Sequence, residues 1–430
     1  MSDSKKSIND ILQAPKGMRD LTQDEFYAFD VFSKNAQEIA ESYGFSGIST
    51  PIVEHTEVFN KGLDADDDAI KEMYSFSTKG GDMLSLRPEG TAAIMRSYIE
   101  HGMGSLPQPV FLYYQGPFFR HEKPQKGRYR QLHQFGLEVI GSPKPIFDAI
   151  VIQTGYRILC TLGKKIKVQI NTLGDKENRS TYLELLRTYY QQHIDALGEQ
   201  DRQRLATNPL RILDSKDRAT IEVNKHAPDI LDTLNEASKE HFDAVCSYLN
   251  EADIPYTIDH SLVRGLDYYS HTVFEFVTED NEEGEKQLAL GGGGRYDGLA
   301  QAMGHNKHVP GIGLGLGLDR IIDIADRGDL IRRLSNQPLC SFIQLDSVLG
   351  VKARMIIDRL RSSDIPVHYR FSKDGLSAQL SCVEEQGIRY ALIYGEQEDR
   401  QHTIIVRDMK ERSQKEVALD DLVSYLSSCE

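Results

Sequence analysis

The sequence predicts an α+β fold: a mainly antiparallel sheet, interrupted by a helical insertion and followed by a separate α/β domain. Three observations predict it. At 430 residues the chain exceeds what one hydrophobic core ordinarily organises. Strand-like sequence from Leu84 to Gly141 gives way to a helical, charge-mixed stretch that runs to about Ala252, and strands resume at Leu262–Thr278. Beyond residue 335, strands and helices alternate at short spacing, the pattern of a small α/β domain. The expected divisions are 1–174 with 253–332 for the core, 175–252 for the insertion and 335–430 for the terminal domain.

Taken in order, Thr22–Glu25 (TQDE) reads as a capping box, and Phe26, Phe29, Phe32, Ala36, Ile39, Ala40 and Tyr43 recur at helical spacing before Gly44. A long amphipathic helix ending there is expected. A strand-like stretch, Phe45–Glu54, follows and contains Pro51, which cannot donate to a ladder and belongs at an edge or a bulge. Val110–Arg120 and Arg128–Gly141 read as a hairpin pair. A helix over about Asp148–Leu162 and a strand Lys167–Leu173 precede the insertion. The terminal domain reads as strands at Leu339–Leu345, Pro366–Phe371, Arg389–Tyr394 and Thr403–Arg407, with helices at Val348–Arg361, Leu376–Gln386 and the carboxyl end.

Composition narrows the function. Sixty-five acidic against fifty basic residues give a formal charge of −15, the wrong sign for holding DNA by bulk attraction, though not for a local basic site. The five cysteines are dispersed and form no CxxC pair, so neither a disulfide framework nor a zinc knuckle is expected, and a reducing cytoplasm fits. No apolar signal core and no eighteen-residue apolar run occurs, so no membrane is expected as partner.

Strand parity exposes candidate chemistry. In the second hairpin strand, Tyr129, Phe135, Leu137 and Val139 share one face, and Arg128, Arg130, Gln134, Gly136 and Glu138 the other. The polar face suits either a polar ligand lying on the sheet or plain solvent. Arg120 adds a planar donor able to clamp phosphate or carboxylate. Residues 311–320 (GIGLGLGLDR) carry glycine at every second position, a strand period that leaves a bare backbone strip, with Arg320 at the start of a following helix. Residues 291–298 (GGGGRYDG) form a second glycine cluster that would serve equally as a hinge. Residues 262–269 (LVRGLDYY) set an arginine beside paired tyrosines, and 86–91 (LRPEGT) offer a carboxylate and a hydroxyl in a tight turn. Neither a Walker A loop nor an HExxH zinc pair occurs, and the thirteen histidines show no ligand spacing.

Together these segments resemble the class II aminoacyl-tRNA synthetases and, in detail, the histidine-specific family of bacterial type. The helix and strand up to Pro51 resemble the first class motif, a dimer interface. Phe118–Glu122 through Arg128–Glu138 resemble the second, and Gly311–Arg320 the third. The segments RGLDYY at 264–269 and GGRYDG at 293–298 match the family's histidine signatures without a gap.

The resemblance implies a ligase that activates L-histidine with ATP and transfers it to the terminal ribose of the tRNA for histidine. It implies Arg264, Arg120 and Arg320 as catalytic residues. Glu89, Gly90, Thr91, Arg120, Gln134, Glu138, Arg264, Tyr268, Tyr269 and Tyr296 fall to the histidine pocket. Arg120, Glu122, Arg128, Tyr129, Phe135, Glu275 and Arg320 fall to ATP, and Lys123, Gln125 and Lys126 to the tRNA acceptor end. Magnesium would bridge the phosphates, with no fixed protein-only metal site. A homodimer is implied, with the insertion touching the acceptor stem and the terminal domain the anticodon. Ser270-His271 stands where the family commonly has an asparagine–arginine pair, and Ser377–Gln379 where related anticodon domains often carry lysines. The alternative is a synthetase-like regulatory subunit of ATP phosphoribosyltransferase; such proteins usually lack the terminal domain and erode the signatures.

Overall fold

A computed structural model of the chain describes residues 12–61, 68–123, 127–263, 268–279, 287–334, 338–345, 350–363, 365–369 and 375–429. The chain forms two compact units, 1–331 and 332–430. The expectations for Arg264, Gln125 and Lys126 lie outside the described residues.

The strands of the first unit are β1 (Ser46–Gly47), β2 (Val53–His55), β3 (Ser75–Ser77), β4 (Met83–Leu86), β5 (Val110–Phe119), β6 (Gln131–Ile140), β7 (Ile166–Thr172), β8 (Tyr256–Ile258), β9 (Ser270–Thr278), β10 (Ala289–Arg295) and β11 (Gly311–Gly317). Eight of them make one sheet in the order β1-β5-β6-β11-β10-β9-β7-β8. Its six inner strands pair antiparallel, and only the edge pairs β1–β5 and β7–β8 are parallel. β2, β4 and β3 form a small separate sheet.

The first helix runs Gln23–Ser42 and buries Ala28, Phe32, Ala36 and Ala40 completely, while Phe26 stays exposed. The capping box expected at Thr22–Glu25 does not form. Thr22 makes no side-chain cap bond and Gln23 sits at φ +50. Glu25 is drawn instead to the guanidiniums of Arg19 and Arg327, charge-assisted partners that outcompete a neutral backbone N–H. The strand expected over Phe45–Glu54 is two strands in two sheets, parted at Pro51, where the missing N–H lets the chain leave one ladder and join another. Likewise the strand expected from Leu262 begins only at Ser270, with the short β8 before it.

Between β7 and β8 the chain is helical: Lys176–Gln192, Glu199–Thr207, Arg218–Asn224 and Glu236–Glu251. Asp175, Asp217 and Asn235 cap three of these helices through their side chains, the residue types that best satisfy orphan N–H groups. Tyr182, Leu186, Tyr190 and Ile212 pack together and onto Tyr269 and Val273 of the core.

The second unit holds β12 (Cys340–Gln344), β13 (Val367–Tyr369), β14 (Tyr390–Tyr394), β15 (Thr403–Asp408) and β16 (Ser413–Ala418) in the order β13-β12-β14-β15-β16. Its core gathers Phe342, Ile357, Leu360, Leu392, Ile404 and Leu426. β16 escapes the sequence because five of its six residues are exposed and only Val417 is buried; an edge strand needs one apolar contact, not an alternating face. Among the described residues no helix is long and apolar enough to cross a membrane.

Candidate active site

The pleat of β6 decides the site. Phe135, Leu137 and Val139 point to one face and are wholly buried, while Gln134, Gly136 and Glu138 point to the other. Register then sets Glu138 against Gly313, Gly136 against Gly315 and Gln134 against Gly317. A Cβ at Gly313 would come within 1.8 Å of a Glu138 carboxylate oxygen, so the glycine makes room for that carboxylate. The bare strip is therefore filled at this end and open only toward Gly315 and Gly317, where an added Cβ would meet nothing closer than 3.6 Å.

Glu138 is fully buried and accepts hydrogen bonds from the Tyr296 hydroxyl at 2.6 Å and the Thr91 hydroxyl at 2.8 Å. Burial pushes its carboxyl up to about 8, and the nearby Glu89 adds to the rise against the pull of the two hydroxyls. Solvation is thus excluded as the explanation of the Glu138 end of this polar face. Glu89 is buried too: it accepts from the backbone N–H groups of Thr91 and Ala92 at 2.7 and 2.9 Å, and so caps the helix Thr91–Glu100 from below Gly90. Burial raises its carboxyl, opposed by those N–H groups and by Arg120. The Tyr268 hydroxyl reaches Glu89 at 3.4 Å, and Tyr268 packs on Tyr269 and Tyr296.

Tyr114 belongs to the same group and escaped the sequence. Its ring fills the gap over Gly136, where a Cβ would lie 2.2 Å away, and also covers Gly90. Burial lifts its phenol well above the ordinary value, with Glu138 and Glu89 adding to the shift. The available signal was the hairpin register, which sets Tyr114 directly opposite a glycine.

Positive charge collects toward the other end. Arg120 anchors its Nε on the Pro88 carbonyl at 2.8 Å. Arg128 lies 3.6 Å from Glu122 and is half exposed. Arg320 donates to the Ala289 carbonyl; burial lowers its pKa, the charge of Arg128 lowers it further, and Glu275 and Glu122 oppose the change. Glu275 shares the site face because it pairs with Gly292, between the inward-turned Phe274 and Phe276. From Gly313 to Gly317 is four strand residues, roughly 13 Å. Lys123 is exposed at the start of the hairpin loop.

Two expected ATP contacts are not on this surface. Phe135 is fully buried on the opposite face, stacked on Tyr113 with ring centroids 5.8 Å apart. Tyr129 lies under the Arg19 guanidinium at 4.3 Å with its hydroxyl 3.5 Å from Asp323. Strand alternation is the reason for Phe135: a residue next to Gln134 must face away from it. The glycine cluster at 291–298 is also not a hinge, since Gly291–Arg295 lie in β10, an inner strand bonded on both sides.

Arg19 and Asp319, which the sequence did not single out, tie the region together. Asp319 accepts from Arg19 at 2.9 Å and from the His133 backbone N–H at 2.6 Å, and these partners hold its carboxyl below the usual range despite burial. The start of β6 is thereby fixed to the helix Leu318–Ile324 that carries Arg320.

The surface has two poles, Glu138 and Glu89 with the tyrosines at one end and Arg128 and Arg320, accompanied by Glu122 and Glu275, at the other, with Arg120 beside Glu89. It suits a ligand that is cationic at one end and polyanionic at the other, two reactants meeting over the open glycines. Sequence comparison agrees. The histidyl-tRNA synthetase family profile matches residues 17–321, and an anticodon binding domain profile matches 342–428. The chain is 38% identical over 416 residues to the histidine–tRNA ligase of Desulforamulus reducens, covering 96% of this chain and 98% of that one. It is 39% identical over 417 residues to that of Geobacillus thermodenitrificans, covering 96% and 97%. The apo histidyl-tRNA synthetase of S. aureus superimposes with a TM-score of 0.73 at 31% identity, over 96% of this chain and 99% of that chain. The two-pole sheet and the near full-length match lead to one conclusion: the chain belongs to the histidyl-tRNA synthetase family of class II aminoacyl-tRNA synthetases.

Proposed function

We propose that this chain is a histidine–tRNA ligase that joins L-histidine to ATP on the glycine-floored face of the large sheet and then passes histidine to its tRNA. The observation that carries the reading is the separation of poles. Glu138, Glu89 and the tyrosines receive the amino acid, and Arg120, Arg128 and Arg320 receive the triphosphate.

Adenylation needs no general base, because the histidine carboxylate is already ionised. It needs in-line placement against the α-phosphate and charge stabilisation as pyrophosphate departs. Arg120, next to both poles, holds the α-phosphate and the carboxylate, and Arg264 joins it; Arg320 holds the far phosphate, with Glu122 and Arg128 shaping a bent ATP. Gln134 and Glu138 read the imidazole N–H groups, so an apolar competitor leaves buried acceptors unpaired and is rejected. Tyr268, Tyr269, Thr91 and Gly90 complete the pocket wall. Magnesium would come with the phosphates and offset their charge, held mainly by phosphate and water, with Glu275 as the protein carboxylate that would help hold it.

Lys123, Gln125 and Lys126 meet the acceptor end, the helical segment 175–252 the acceptor stem, and the domain 335–430 the anticodon. The segments 1–174 and 253–332 form the catalytic core. A second copy of the chain is the expected partner at the helix and strand up to Pro51, next to which Ile52 and Val53 are exposed. The cytoplasm is the expected compartment. The anticodon-type domain and the near full-length match to ligases favour this reading over a regulatory subunit.

The test is histidine-dependent ATP–pyrophosphate exchange by the purified chain. Exchange that appears only with histidine, followed by charging of the tRNA, is the expected result; exchange no greater than without histidine sinks the reading.

A further inference from the structure

Arg295 is the last residue of β10 and Tyr296 follows it, with its N–H still bonded to the Gly311 carbonyl, so their side chains leave on opposite faces of the sheet. Tyr296 goes to the site face, where its hydroxyl donates to Glu138 at 2.6 Å. Arg295 goes to the other side and has no exposed surface. Its Nε and Nη2 fork onto Asp148 at 2.9 and 2.7 Å, and its Nη1 donates to Asp297 at 3.0 Å and to the Ser142 carbonyl at 3.2 Å. Asp148 stands in the first turn of the helix Pro145–Cys160, and Ser142 lies just after β6, the strand that carries Glu138.

Asp297 closes the circuit. The oxygen that accepts from Arg295 also accepts the Gly311 N–H at 3.0 Å, while the Gly311 carbonyl accepts the Tyr296 N–H at 2.9 Å. The Tyr296 ring lies so near Gly311 that a Cβ there would be 2.2 Å from it. Arg295, Asp297 and Gly311 therefore fix the backbone and the ring plane of Tyr296 together.

We propose that the buried cluster of Arg295, Asp148 and Asp297 is a positioning unit for amino-acid recognition, holding the Tyr296 phenol on Glu138 from the far side of the sheet. It rests on the histidine-activating function proposed above. A buried ion pair is often no more stabilising than well-packed apolar residues of the same volume, so stability alone gives weak reason for charge here. A bidentate fork with every donor occupied does fix direction, and groups behind a binding residue tune it in the same way that outer partners orient metal ligands.

The test compares Asp297→Ala with Asp297→Asn, which keeps an oxygen for both Gly311 and Arg295, in the full-length chain. Asp297→Ala is expected to raise the histidine KM about tenfold while the ATP KM stays within about twofold, and Asp297→Asn to recover most of the loss. In a Tyr296→Phe background, Asp297→Ala is expected to add less than about twofold, because the phenol it positions is gone. A merely structural role would move both KM values and multiply with Tyr296→Phe. Either result overturns the proposal. Should Asp297→Ala melt below the assay temperature, Asp297→Ser and Arg295→Lys carry the same comparison. Calorimetric titration of histidine separates the two readings: a wild-type chain that neither binds nor activates histidine overturns both, whereas normal binding by wild type and Asp297→Ala alike overturns this one alone.

Discussion

At the scale of single residues, the specificity role proposed for Glu138 comes at a cost in stability. Its carboxyl stands near 8 in the ligand-free fold against an ordinary value of 4.5. A carboxyl raised in this way favours folding fully only below about 4.5, and that contribution is lost as pH rises to about 8. Glu138→Gln removes the titration and keeps most of the shape. Its melting temperature should exceed that of wild type near pH 8 by a margin that shrinks toward pH 5, read by calorimetry without ligand. Its kcat/KM for histidine should fall at least about a hundredfold, because an amide cannot ionise to accept the imidazole N–H as a carboxylate does. A variant that is less stable than wild type at pH 8 would remove the buried charge from the account. Arg264 offers a contrasting residue: Arg264→Ala should leave histidine binding nearly intact and slow adenylation by about three orders of magnitude, measured in single turnover. A normal single-turnover rate in that variant would take Arg264 out of the chemistry.

At the scale of elements, the third-motif strand β11 differs along its length. Gly313 faces the Glu138 carboxylate at a distance no Cβ can share, whereas a Cβ at Gly315 would meet Gln134 at an ordinary 3.6 Å. Gly313→Ala should therefore disable histidine activation almost completely, while Gly315→Ala keeps a measurable histidine KM and suffers mainly in its use of ATP. Exchange kinetics with each substrate varied separates the two, and equal damage from both would reduce the glycines to generic packing.

Much of this strand was legible beforehand. Glycine at every second position announces a strand with one bare face, and the parity of β6 announces Glu138 and Gln134 on one side. The same parity should have excluded Phe135 from the ATP surface, since it neighbours Gln134. Other features depend on partners distant in sequence: Glu25 leaves its capping role for Arg19 and Arg327, and β10 is an inner strand because β9 and β11 flank it, not because glycine favours strands. β16 carries too little apolar pattern to be read at all.

At the scale of the whole molecule, a charge of −15 must coexist with a polyanionic partner. Bulk attraction cannot supply the affinity, so it has to come from a few placed contacts, which the proposed function divides between the two units. Each has its own sheet and its own core: the second gathers Phe342, Leu392 and Ile404, and none of the site residues lies in it. Both poles of the site belong to the first unit. Residues 1–331 expressed alone should then retain histidine-dependent exchange at a rate comparable to the full chain, because the residues proposed to meet histidine and ATP all belong to that unit. Charging is different, since two linked contacts bind one tRNA far more tightly than either does. Loss of the second should raise the tRNA KM by about a hundredfold at physiological salt. Lower salt should recover part of it, as fewer counterions compete for the remaining basic contacts around Lys123 and Arg128. Measuring exchange and charging side by side decides the matter: truncation that lowers both in proportion would mean that the terminal unit supports the active site and does not simply hold RNA.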